Sequence, residues 1–297
     1  MKRHFSDYVY TPAVPGATTS DDIIKADVLA TVIRGEAEKL MTGTQAVNLK
    51  PVNALEYRFQ VPEQDTIELQ TIVEGAKADF ESITWFDIGG TLIKTQQALD
   101  FTDEVKIRQL DNLQYDVQIQ ACAQGFALGR DKNIFSVLNG AAGSSTAATD
   151  VWTDPVAGNM IEDLSKQIGA LLKSTTMGMR DISNIKLFYP VELHPYLMIP
   201  VQIGEMYMPV KEYVTSRFGI EFIPNKYFSN DALLVYKSDR TAFHAFYSGN
   251  EIPSVETERI MGVGQRYLFT QYFQTVVMPD SKNTMTSSKI RKITGVI

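Results

Sequence analysis

One stretch of this chain limits its possible folds more than any other. From Thr102-Asp103 onward the apolar residues keep a helical period. Val105, Leu110, Leu113, Val117, Ala121 and Leu128 recur at spacings of three to five and seven, the stripe of an amphipathic helix. Asp103 and Glu104 sit favourably in its first turn, where the helix dipole attracts negative charge, and Asn139-Gly140 closes it. A helix over 103–138 would be roughly 50 Å long at 1.5 Å per residue. Gly125 and Gly129 are the points where it could bend.

The residues before it read differently. Residues 1–20 carry two prolines, a glycine and TTSDD, keep no period, and predict an extended arm. Ser20-Asp21-Asp22 then caps a helix from about Ile23 to Met41, with Ile24, Val28 and Val32 on one face. Leu55, Tyr57, Phe59 and Val61 alternate with Glu56, Arg58 and Gln60, a strand with one buried face that Pro62 ends. Next, TIELQTIV (66–73) and SITWFDIGGTLIK (82–94) are both rich in Thr and Ile. They predict a long hairpin with Glu74 to Asp79 at its tip. Two strands alone are marginal in water, so this hairpin needs a surface to lie on, in its own domain or on another subunit.

The returning strand contains DIGGT, which resembles the first phosphate loop of the sugar kinases related to hexokinase and actin. Glycines there let the backbone approach a phosphate, and the Asp can hold a metal ion. That reading needs a second glycine-rich loop, and Gly262-Val-Gly264 is too sparse to supply it. Asn230-Asp231-Ala232 echoes a kinase catalytic pair but precedes the strand LLVY instead of a helix. The alternative is that Gly89-Gly90 only kinks a long strand.

After the long helix, AAGSSTAATD reads as a small-residue loop. Ile161, Leu164, Ile168, Leu171 and Leu172 mark an amphipathic helix. Ile185 to Tyr189 is a short strand stopped by Pro190, and a helix from about Lys211 to Phe218 ends at Gly219. Strands follow at Glu221–Ile223, Leu233–Tyr236 and Ala242–Tyr247, then Ser254–Ile260 and Arg266–Met278. The last is apolar on both faces, which predicts burial. Lys282, Lys289, Arg291 and Lys292 lie in a stretch rich in Ser, Thr and Asn that reads as a solvated tail.

Composition narrows the chemistry. The 297 residues are 44% hydrophobic with a formal charge of −7, enough for a large core and unfavourable for wrapping nucleic acid. No run is apolar enough to span a bilayer, and MKRHFSDYVYTP lacks the apolar centre of a signal peptide. A single cysteine, Cys122, excludes an intrachain disulfide framework and reads as a small buried side chain. His4, His194 and His244 have no metal-ligand spacing. No catalytic constellation, metal site or cofactor site emerges. The segment PYLMIPVQIGEMYMPV (195–210) is unusually apolar for a loop. Its three prolines block regular helix or sheet, and Gly204 permits a tight turn. Met198, Met206, Met208 and Tyr207 cluster around that glycine, either as ordinary packing or as an adaptable contact surface.

The order of these elements resembles the major capsid protein of tailed phages and related archaeal viruses, the Hong Kong 97 fold shared with encapsulin nanocompartments. The resemblance rests on arm, short helix, long hairpin, Thr102-Asp103 entry, the helix ending in DKNIFSVLNG, an α/β unit and terminal strands. It implies an α+β fold with an N-terminal arm and helix over 1–42 and a peripheral domain over 43–150. The latter would hold an extended loop at about 65–93 and the spine helix at about 103–138. An axial domain would cover 151–245, a return to the peripheral sheet 246–280, and a C-terminal tail 281–297. The implied role is structural: pentamers and hexamers of an icosahedral shell around double-stranded DNA, without sequence-specific contacts, in a virion assembled in the host cytoplasm. A separate scaffold, a portal and decoration proteins are further implied partners, and an encapsulin shell is the alternative. Assembly contacts are expected at Glu74, Lys77 and Asp79 on the hairpin tip and at Met198, Met206 and Met208 near the capsomer axis. Lys77 could in principle form the covalent cross-link seen in some members; the alternative is a solvated tip lysine, since most members lack the cross-link.

Overall fold

The computed structural model describes residues 20–63, 83–102, 112–154, 157–174, 179–203, 205–248, 254–260 and 264–297. Helix α1 is Ser20–Leu40, followed by strands β1 (Asn48–Val52), β2 (Glu56–Pro62), β3 (Trp85–Thr91) and β4 (Ile93–Thr102). The long helix α2 covers Asn112–Gly140 and leads into β5 (Ala142–Ala147) and α3 (Ala157–Ser174). Then come β6 (Ile185–Pro190), the single turn α4 (His194–Leu197), β7 (Pro200–Ile203), β8 (Met206–Pro209) and α5 (Val210–Phe218). The chain continues as β9 (Glu221–Asn225), β10 (Asp231–Tyr236), β11 (Ala242–Tyr247), β12 (Ser254–Ile260), β13 (Gly264–Val277) and β14 (Ser287–Thr294). The fold is mixed α+β.

Two five-stranded sheets carry it. The first has the order β1-β11-β13-β12, with β4 also paired to β13, and the second β5-β14-β10-β6-β9. Helix α2 serves both. Ile119, Cys122, Phe126 and Ala127 pack with Leu29, Ile33 and Ala37 of α1 and with Leu99, Tyr267 and Phe269 of the first sheet. One end farther on, Ile134, Phe135 and Leu138 pack on Phe188, Leu233, Val235 and Ile290 of the second sheet. The other face of the second sheet is covered by α3 and α5 through Leu164, Ile168, Leu171, Val210 and Val214. At 29 residues, α2 is roughly 43 Å long, enough to bridge two sheets.

Several expectations change here. Thr102 ends strand β4, and the expected first turn at Asp103-Glu104 lies outside the described residues. Helix α2 runs unbroken past Gly125 and Gly129. Its buried stripe is not the expected one: Val117 and Leu128 are exposed, and the inner face is built from Ile119, Cys122, Ala123, Phe126 and Ala127. Small residues let the helix lie close to the sheet, and their weak hydrophobicity hid that face from the periodicity. The small-residue loop is strand β5, paired in parallel with β14.

The expected tail is the largest correction. β14 is an interior strand of the second sheet, paired to β10 on one side and β5 on the other. Ile290, Ile293 and Val296 are buried, while Lys292 pairs with Asp231 at 2.7 Å. Arg291 Nη2 donates to the carbonyl of Ala170 in α3. A boundary after residue 245 also cuts through β11, whose whole ladder belongs to the first sheet.

Candidate assembly surfaces

The ribbon β2–β3 flanks residues 64–82, where the extended loop is expected and which lie outside the described residues. Its antiparallel register pairs Glu56 with Thr91 and Pro62 with Trp85. The returning strand therefore meets residues 56–62 over this length, in place of the expected partner 66–73. The tip residues Glu74, Lys77 and Asp79 lie outside the described residues. One face of the ribbon is anchored. Tyr57, Phe59 and Ile88 pack against Phe243, Ala245 and Val276 of the first sheet, with Phe59 edge-on to Phe243 at 4.8 Å. The Lys50 ammonium lies 4.5 Å over Phe59, a cation–π contact that closes this joint. The opposite face, with Arg58, Gln60, Trp85 and Asp87, is exposed, and Trp85 is 58% accessible.

DIGGT lies in this ribbon without a kink. The ladder runs through both glycines, Gly89 opposite Arg58 and Gly90 opposite Tyr57, and breaks only at Leu92. Leu92 is buried and its amide donates to the carbonyl of Leu55, so the chain changes sheets there. Gly90 is needed for space: a Cβ would stand 2.5 Å from the Tyr57 hydroxyl. Asp87 faces Arg58 at 3.3 Å. In the other kinase echo, Asp231 is held by Lys292, and Asn230 Oδ1 accepts the amide of Ile297. Each of these residues therefore has a structural partner.

The second surface lies where β6 leaves the second sheet. Pro200 and Pro209 face each other at the ends of a small hairpin, β7–β8, in the segment whose prolines predicted no sheet. Prolines are tolerated there because a strand end leaves one backbone edge unpaired. Val201 is buried in the core under α3, and its register partner Met208 is half-buried on the same side. Gln202 and Tyr207 form the outward pair, and Tyr207 is 75% accessible. Met198 is exposed, together with Ile199, Tyr196 and Val191. Met206 pairs with Ile203 in the ladder. The expected methionine surface is thus partly an aromatic and aliphatic one. Tyr207, grouped with the methionines from the sequence, is the residue that faces out, as the alternation of side chains along a strand allows.

This surface has a firm base. Tyr189 Oη lies 2.7 Å from His194 Nδ1, and the two rings stack. Burial pushes the Tyr189 hydroxyl up to about 12, so it keeps its proton. Leu193 and Leu197 point into the core and fix the turn that presents Tyr196 and Met198. Among the described residues, neither surface brings together titratable groups suited to acid–base or nucleophilic chemistry. Cys122 is buried and its thiol is raised to about 12. Among the described residues, no group of His, Cys, Asp and Glu is placed to hold a metal, and no helix is long and apolar enough to cross a membrane.

No protein-family model and no curated protein matches the chain in sequence. Solved structures do match in shape. The capsid of Myoviridae phage XM1 superposes with a TM-score of 0.62 at 12% identity, over 85% of this chain and 90% of the capsid chain. The fold is that of phage capsid proteins. A phage-related protein from Bordetella bronchiseptica RB50 superposes with a TM-score of 0.64 at 12% identity, over 91% and 96% of the two chains. A virus-like particle from Pyrococcus furiosus does so at 0.60 and 9%, over 89% and 97%.

Proposed function

We propose that this chain is the major shell protein of a virus-like particle with the Hong Kong 97 architecture, assembling into pentamers and hexamers around double-stranded DNA. The observation that carries this reading is the match in shape to capsid chains over most of both chains. The first sheet is then the peripheral domain, α2 the spine helix, and the second sheet the axial domain. The ribbon β2–β3 is the base of a loop that reaches over a neighbouring subunit through Glu74, Lys77 and Asp79. Val191, Tyr196, Met198 and Tyr207 meet other copies near the capsomer axis. Removing such apolar surface from water on assembly contributes about 25 cal/mol per Å² before the costs of association. The role is structural and needs no cofactor, and the negative net charge is compatible with a container that grips no particular sequence.

Electron microscopy of the purified protein tests the reading. Closed shells are expected, and deletion of Glu74 to Asp79 should leave folded subunits that no longer close. Shells filled with protein instead of DNA would favour an encapsulin-type compartment. Absence of any shell or ring at high concentration would refute the proposal.

A further inference from the structure

The contact between α2 and the first sheet contains a polar seam that neither assembly surface uses. His244 of β11 is fully buried, and so is Thr275 beside it on β13. The proton inventory there is closed. The amide of Thr275 donates to Asn133 Oδ1 at 2.9 Å, which fixes that atom as the oxygen. The Thr275 hydroxyl spends its own proton on the same oxygen at 2.7 Å. Thr275 Oγ1 can therefore only accept from His244 Nδ1, 3.1 Å away. The imidazole is held as the Nδ1–H tautomer, and its bare Nε2 is buried with no partner.

The guanidinium of Arg130 shares the Phe273 ring with this imidazole: it rests on Phe273 at 5.5 Å while His244 contacts the same ring at 5.2 Å. Arg130 is 8% accessible, and its Nε also has no partner. From β1 the register neighbour is Leu49, and from β13 the neighbours are Phe273 and Thr275, none of them charged, so among the described residues the charge acting on His244 is that of Arg130. Glu38 of α1 offsets Arg130 only from a distance, because Arg34 already holds it at 2.7 Å.

We infer that His244 and Arg130 form an acid-released fastening between the long helix and the first sheet. A proton taken up at His244 Nε2 creates a second buried cation in the seam that holds Arg130, at an atom without a hydrogen-bond partner. Burial and the neighbouring guanidinium together hold the imidazole down to about 3. The sign follows from linkage. The unfolded chain takes up this proton near pH 6.5 and the fold refuses it, so stability is full above 6.5 and falls as pH drops towards 3. The inference concerns the subunit's own packing and stands whether or not the chain builds shells.

Thermal unfolding of the purified protein at pH 7.5 and 5.0 tests it, with three variants. His244→Asn places an amide N–H where Nδ1–H was, keeps the bond to Thr275 and removes the titration. The parent is expected to lose on the order of 4 °C more than this variant on acidification. Arg130→Gln should raise the pH at which His244 takes up its proton, read from the imidazole NMR signals as the pH is lowered, while leaving His244 in place. His244→Gln, whose amide reaches the Nε2 position instead, should be less stable at pH 7.5 than His244→Asn. Equal acid loss in parent and His244→Asn would overturn the inference. So would an unchanged His244 titration in Arg130→Gln, or His244→Gln being the more stable of the two at neutral pH.

Discussion

The amide of Gly43 donates to Asp131 Oδ1 at 2.9 Å, joining residues 88 positions apart in the chain. Asp131 Oδ2 also accepts from the amide and hydroxyl of Thr42. One buried carboxylate in the middle of α2 therefore fixes the turn that carries the chain from α1 into β1. Asp131→Ala would leave three donors without an acceptor at a site where bonds to charge are strong, and is expected to cost about 3 kcal/mol. Gly43→Ala should also destabilise, because its Cβ would stand 2.6 Å from Ile134 Cδ1. Denaturant unfolding of both variants measures these losses.

The C-terminal strand gives a sharper test. Deleting residues 287–297 removes an interior strand with Ile290 and Ile293, and should unfold the second sheet. A solvated tail would be lost without effect. Gly143→Val is the milder version: its Cβ would lie 2.5 Å from the backbone oxygen of Ser287, which cannot step aside. A loss of about 1–3 kcal/mol is expected for such overpacking. Circular dichroism and melting temperature separate the two outcomes.

At the second surface the register predicts a ranking. Tyr207→Asp and Met198→Asp put charge on exposed positions and should leave the subunit folded while blocking assembly, since a closed ring repeats the repulsion at every contact. Met208→Asp should lower the melting temperature as well, because Met208 shares the inner side of its hairpin with buried Val201. Light scattering beside thermal melts reads both effects. Normal particles from Tyr207→Asp would remove this face from the assembly.

Asp87→Ala deletes one exposed ion pair with Arg58, worth at most about 1 kcal/mol, and should leave both fold and assembly nearly intact. Gly90→Ala should cost more, because Tyr57 must give up its place against the ribbon. Titration calorimetry with magnesium and ATP is expected to show no heat of binding in the parent. Binding that disappears in Asp87→Ala would revive the phosphate-loop reading.

Local signals in the sequence determined a good part of this protein. Gly219 ends α5 in the left-handed conformation at φ 70°, where glycine carries no Cβ penalty. Alternation placed Tyr57, Phe59 and Val61 on one face of β2, and the order of elements pointed to the capsid fold. Burial was less legible. Val117 and Leu128 read as core and lie outside, while Arg130, Asp131 and His244 lie inside. Their partners, Thr42, Gly43 and Thr275, are far away in sequence. The same holds for β4, β5 and β14. Gln, Ser, Ala and Lys carry little intrinsic strand preference, and these segments become strands because neighbouring strands supply the missing hydrogen bonds. Residue periodicity reports which face of an element is apolar. Only the tertiary structure decided which elements meet, because a polar residue can be buried wherever a distant partner satisfies it.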